Sequence, residues 1–280
     1  MSQWVKLLGG LSFPEGPRWR DGRLWLSDFY QHQVMTVDMD GNSAVVASVP
    51  NQPSGLGWLP DGRLLVVSML DRCLLRMEGD GLVQHADLSA IATGSCNDMV
   101  VDAQGRAYVG NFGFDRYKGE PQRLATLALV HPDGRVVPAA DGLAFPNGTV
   151  ISDDGAQLII GETQANRLTA FRVADDGSLH DRRVFADLGE NFPDGICLDA
   201  EGAVWVSDPR NNEVIRVLDG GEVTHRLSTG DLGAYACMLG GPERKTLFVL
   251  ANSGSGLDAA AKRDGCVLIT QVDVAGAGLP

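Results

Sequence analysis

One short pattern recurs six times along this chain: a tight turn, an apolar stretch, an acidic or glycine turn, then a second apolar strand. The copies read FPEGPRWRDGRLWLSD (13–28), QPSGLGWLPDGRLLVVS (52–68), SCNDMVVDAQGRAYVGN (95–111), FPNGTVISDDGAQLIIGE (145–162), FPDGICLDAEGAVWVSD (192–208) and the worn YACMLGGPERKTLFVL (235–250). Aligned on the residue that opens each inner segment, they bring Glu15, Ser54, Asn97, Asn147, Asp194 and Ala236 into register, at spacings of 39, 43, 50, 47 and 42 residues. Strand-rich repeats of this period predict a β-propeller.

The strands within each copy follow from their pattern. RLWLSD, RLLVVS, RAYVGN, QLIIGE, VWVSD and TLFVL are short, β-branched or apolar, and preceded in five copies by turns carrying Gly or Asp-Gly. A third strand and, in five copies, a polar fourth strand follow. The fold expected is all-β: a six-bladed β-propeller formed as one domain over residues 1–280. The last copy lacks a fourth strand, whereas QWVKLL (3–8) is a strand without a partner in its own repeat. It is predicted to close the ring against residues 266–274, because closure removes exposed sheet edges. No long helical period occurs, and DAAAKRDG (258–265) reads as a loop insertion.

The totals narrow the partners. Hydrophobic residues make up 44% of the chain, and no run approaches the roughly 18 apolar residues of a membrane span. A formal net charge of −13 opposes binding to a phosphate backbone, so neither nucleic acid nor membrane is expected as a partner. The first residues lack the basic and apolar regions of a secretory signal, so a cytoplasmic protein is expected, as monomer or small homo-oligomer. The five cysteines (Cys73, Cys96, Cys197, Cys237, Cys266) form no CxxC pair and read as reduced, buried thiols.

Function is expected where the repeats differ. In a propeller, the first residues of the innermost strands crowd the mouth of the central channel. Four of these six are Glu15, Asn97, Asn147 and Asp194. Two carboxylates and two amides form an all-oxygen donor set that suits a hard divalent cation such as Ca²⁺. The competing reading makes these residues ordinary turn formers with solvated side chains.

The motifs EGP (Glu15, Gly16, Pro17), ND with VDAQGRAYVGN (97–111), PNG (146–148), PDG with LDAEGAVWVSD (193–208) and CMLGG before KTLFV (237–249) occur together in this order. With them the chain resembles the SMP-30/gluconolactonase, or regucalcin-like, family of six-bladed propeller lactonases. The resemblance implies one divalent metal, Ca²⁺ first and Zn²⁺, Mn²⁺ or Mg²⁺ as alternatives. Its ligands would be Glu15, Asn147 and Asp194, with Asn97 as fourth ligand or substrate contact. It also implies that Asp115 helps to bind substrate. Ser95 stands where sugar-binding members commonly carry Arg, and Phe112 and Phe114 make the nearby wall more apolar, which leaves room for a less polar lactone or ester.

The pocket is therefore expected over the metal, lined by Phe29, Tyr30, Asn97, Asn111, Phe112, Phe114 and Asp115. A metal-polarised carbonyl attacked by an activated water would open the ring. Asp194 is the first candidate for general base and Asp98 the second, unless Asp98 only orients Asn97. The alternatives are phosphotriester or aryl-ester hydrolysis at the same site, or a non-catalytic binding propeller. No G-x-S-x-G elbow supports a serine hydrolase.

Overall fold

The computed structural model describes residues 4–279. Its strands form six four-stranded antiparallel sheets arranged as the blades of a β-propeller. The first blade runs Pro14–Arg20, Arg23–Asp28, Gln33–Val37 and Ser43–Ser48, from the channel outward. The inner strands of the others are Pro53–Trp58, Cys96–Val101, Pro146–Ile151, Ile196–Leu198 and Gly233–Gly240.

Burial grades outward along each sheet. Every residue of Cys96–Val101 and Pro146–Ile151 is buried, whereas Ser43–Ser48 is almost wholly exposed. This explains the unbroken apolar runs of the inner strands and the polar character of the outer ones. Successive blades share their cores. Leu65, Val67, Met99 and Val109 join the second blade to the third, and Val150, Ile159, Val204 and Ile215 join the fourth to the fifth. A fully buried side chain of this kind stabilises by about 1.5–3 kcal/mol.

The ring closes as the unpaired N-terminal segment predicts. Val5–Leu11 pairs antiparallel with Gly265–Gln271, the third strand of the last blade, with Val5 opposite Ile269 and Leu11 opposite Gly265. The strand runs further toward Leu11 than expected, and Gln3 lies outside the described residues. Residues 257–262 differ from the loop expected there. They form a short α-helix, Leu257–Lys262, with Asp258 in its first turn, Lys262 in its last, and Ala259 and Ala260 buried. Alanine's high propensity and charges matched to the helix dipole account for it.

Two features absent from the repeat reading position the site. At the end of the second strand, Asp28, Glu162 and Asp208 are fully buried carboxylates. Asp28 accepts the backbone N–H groups of Ser12 (2.8 Å) and Phe13 (3.0 Å), Glu162 that of Ala144 (2.8 Å), and Asp208 that of Phe192 (3.0 Å). Each clamps the loop that leads into its own blade's inner strand. At the other end of the channel, the C-terminal segment runs under three blades. Gly276 bridges to Asp199, and Leu279 exchanges backbone hydrogen bonds of 2.8 Å with Ile151.

Candidate active site

The inner strands pack so closely around the channel that the position after the hub residue is glycine in four of the six blades. A Cβ on Gly148 would lie 2.4 Å from the backbone nitrogen of Ile196, and one on Gly195 would lie 2.6 Å from Cα of Ala236. The glycine of PNG and PDG is thus required by the neighbouring blade. Strand alternation turns the residue before it, Asn147 or Asp194, to the channel mouth. Asp98 follows Asn97 as Gly148 follows Asn147, and its side chain turns away from the mouth accordingly. Its Oδ1 accepts from the Arg18 guanidinium at 2.6 Å and from the Met99 N–H at 2.8 Å. Arg18 also donates to the carbonyls of Leu56, Pro17 and Met99. Asp98 is therefore held between blades by a buried arginine, and no hydrogen bond ties it to Asn97.

Glu15, Asn97, Asn147 and Asp194 converge on the floor of one cavity of about 420 Å³. Asn97 Nδ2 donates to Asn147 Oδ1 at 3.0 Å, Asn147 Nδ2 to Thr163 Oγ1 at 3.1 Å, and Thr163 Oγ1 to the Pro193 carbonyl at 2.7 Å. This chain fixes the amide of Asn147 and leaves its oxygen a second lone pair. Burial, then the charges of Asp194 and Asp98, push the Glu15 carboxyl well above the usual range. Burial likewise pushes Asp194 up to about 7, with Asn147 and Arg116 opposing the rise and Asp98 and Asp208 adding to it. Two carboxyls that repel one another when both are ionised thus share a desolvated floor.

The wall is aromatic. Phe13, Phe29, Phe112, Phe114 and Phe145, five of the nine phenylalanines, line it together with Tyr235. Phe112 and Phe145 stack at 4.7 Å and 28°. Phe145 holds φ at 59°, the left-handed region, which costs a bulky residue of order 1–3 kcal/mol. The Glu162 clamp on Ala144 and the stack on Phe112 hold it there. Arg116 and Arg210 also reach the wall. The Arg116 guanidinium lies 5.5 Å from the Phe112 ring centre and that of Arg210 4.0 Å from Phe192.

Of the residues expected in the pocket, Phe29, Asn97, Phe112 and Phe114 line it, whereas Tyr30, Asn111 and Asp115 lie outside its wall. Asn111 occupies the clamp position at the end of its strand, accepting from Gly113 N–H at 3.0 Å and donating to the Thr126 carbonyl at 2.8 Å. Tyr30 packs edge-on to Phe13 with ring centres 5.9 Å apart. The Asp115 carboxylate meets Lys118 at 3.0 Å in the turn after the strand. Phe13, Phe145, Tyr235, Arg116 and Arg210 were missed. The Phe-Pro pairs before Glu15 and Asn147 were the available signal for Phe13 and Phe145.

The sequence profile of the SMP-30/Gluconolactonase/LRE-like region matches residues 13–253. The chain belongs to this family. It is 26% identical over 278 residues to pentonolactonase XacC of Haloferax volcanii, covering 95% of this chain and 92% of that one. Its fold is similar to that of regucalcin from Agrobacterium tumefaciens, described as calcium-binding, with a TM-score of 0.81 and 23% identity over 96% of this chain and 93% of that one. A gluconolactonase from Xanthomonas campestris matches with a TM-score of 0.75 and 24% identity over 99% and 89% of the two chains. At these identities the two structures speak to fold alone.

A divalent cation fits the floor of this family member. Among the described residues no three His, Cys, Asp and Glu side chains gather as a metal site. The donors here are two carboxylates, Glu15 and Asp194, and two amides. Their mutual repulsion in a desolvated place is what a hard cation relieves, and all-oxygen donors suit one.

Proposed function

We propose that this chain is a divalent-metal-dependent lactonase, opening a cyclic ester to a hydroxy acid. The observation that carries the reading is the convergence of Glu15, Asn97, Asn147 and Asp194 beneath a cavity walled by aromatic rings. A propeller that only displayed binding loops would have no use for two repelling carboxylates at its hub. Family membership and the lactonase names of its relatives point the same way.

Glu15, Asp194 and Asn147 would hold the ion, with Asn97 as fourth donor or substrate contact. When bound, the ion supplies Lewis-acid polarisation of the ester carbonyl. Asp194 takes the proton from water as the water oxygen bonds to the carbonyl carbon, and the proton passes to the ring oxygen as its bond to that carbon breaks. Asn97 and Asn147 orient the carbonyl face, and the aromatic wall packs against the body of the ring. Asp98, bound to Arg18 and turned from the mouth, is left to shape.

The test is acid release from a panel of lactones, after chelation and with Ca²⁺, Mg²⁺, Mn²⁺ or Zn²⁺ restored singly. Chelation should abolish turnover while the far-ultraviolet β signal persists. Full activity of metal-free protein would refute metal dependence, and inertness toward every lactone with every metal would refute the lactonase reading.

A further inference from the structure

The wall of the cavity has a composition that its floor does not explain. Polyol lactones carry a hydroxyl on nearly every ring or chain carbon, and each loses water on entry unless a protein group replaces it. Here the amides and the hydroxyl at the floor are committed to one another. Asn97 donates to Asn147, and Thr163 accepts from Asn147 and donates to the Pro193 carbonyl. Six aromatic rings line the cavity beside the amides of Gln122 and Gln164, with the strained Phe145 backbone presenting one of the rings. Such a surface takes an apolar body, and rings stack on rings.

The second observation is charge. The chain carries a net charge of −13, yet two arginines, Arg116 and Arg210, stand on this wall. Both guanidinium groups lie over phenylalanine faces, Phe112 and Phe192, which orients a planar fork suited to a carboxylate. They come from top loops of different blades, 116 following the second strand of the third and 210 that of the fifth. The acidic floor receives a cation and the electrophilic end of a substrate; Arg210 receives an anion at its other end.

We infer that the substrate is a lactone with an aryl or alkyl body and a carboxylate remote from the ring carbonyl, rather than a neutral polyol lactone. This rests on the lactonase reading for its chemistry and on the cavity wall for its specificity.

Four five-membered lactones separate the two: unsubstituted, phenyl-substituted, carboxyphenyl-substituted and polyhydroxylated. With saturating metal, kcat/KM should rise from the unsubstituted to the phenyl compound and again to the carboxyphenyl compound, each by about tenfold, with the polyol lowest. Arg210→Gln should raise KM about tenfold for the carboxyphenyl lactone and so erase its advantage over the phenyl lactone. Phe112→Leu, which keeps the volume apolar, should weaken phenyl and carboxyphenyl substrates alike. A polyol or unsubstituted lactone opened as fast as the carboxyphenyl compound would overturn this inference and leave the lactonase reading standing. The same comparison runs without turnover, by calorimetric titration of the matching lactams, which resist hydrolysis. If no lactone opens, the lactonase reading falls. In that case Arg210-dependent binding of the carboxyphenyl lactam still supports the specificity of the wall, and its failure to bind overturns it.

Discussion

Removing Arg18 separates the two carboxylates that the sequence offers as general base. Arg18 has a side chain 3% exposed, and one NH2 group serves both Asp98 Oδ1 and the Met99 carbonyl. Arg18→Met leaves the Asp98 charge buried without its partner and frees three carbonyls, a loss of about 3–5 kcal/mol. For a chain of this size that lowers Tm by about 10 °C. Asp98→Asn is gentler, because an amide oxygen can still accept from both Arg18 and Met99 N–H. The lost charge assistance costs about 1.5–3 kcal/mol. Urea unfolding followed by tryptophan fluorescence measures both. Turnover of the best lactone with metal saturating gives the second axis. Asp98→Asn should keep kcat within about tenfold, the low end for partners that only support a metal site, while Asp194→Asn loses about 10²-fold or more. An Asp98→Asn protein with unchanged unfolding midpoint and a larger kcat loss than Asp194→Asn would refute this and make Asp98 the base.

Three further outcomes follow from named contacts. Burial raises the Glu162 pKa, but Arg167, the Ala144 N–H and Thr169 outweigh it and hold the group below its ordinary value. That stability is present above the unfolded pKa near 4.3 and is lost as pH falls through the folded value, so the Tm gap between wild type and Glu162→Gln should narrow below about pH 4; a gap that widens there would refute the assignment. Deleting residues 1–9 removes most of the strand paired with Gly265–Gln271 and exposes that edge, so aggregation on gentle heating should rise; an unchanged Tm and soluble fraction would count against closure by this strand. At Phe145, Gly should be more stable than Ala by about 1 kcal/mol, the reverse of their order at an extended position, because only glycine adopts a φ of 59° without strain.

The repeat made the architecture legible because each blade writes the same burial gradient into its strands. It also located the floor, since residues sharing one place in the repeat share one place in the ring. Asp98 was read less well than the alignment allowed. One step along a strand reverses a side chain, and Asn97-Asp98 is in step with Asn147-Gly148, so Asp98 had to face the gap between blades. The same comparison would have removed Asn111 from the pocket, since Asp28, Glu162 and Asp208 hold that position as backbone clamps. Tyr235 stands directly before Ala236 in the sixth copy and was within reach of the alignment, but Arg116 and Arg210 left no comparable trace. They lie in or beside top loops of unlike length, where the repeat carries no register.

Those loops make the two ends of the channel unequal. Gly278 takes φ at 64° under the fourth blade, where a Cβ would lie 2.3 Å from the Ile151 carbonyl oxygen, so the C-terminal segment is pressed against the end of that inner strand. Its bridges at Asp199 and Ile151 cross the face opposite the aromatic cavity. A ring of like blades would offer two similar mouths. Here one end is crossed by backbone, while the other gathers the carboxylate floor, the aromatic wall and two arginines. Chemistry is confined to that end because the strands open there: a residue at the start of an inner strand is held by its neighbours in the ring, yet faces loops free to differ from blade to blade. The hub can therefore keep a fixed donor set while substitutions in the loops change what it acts on.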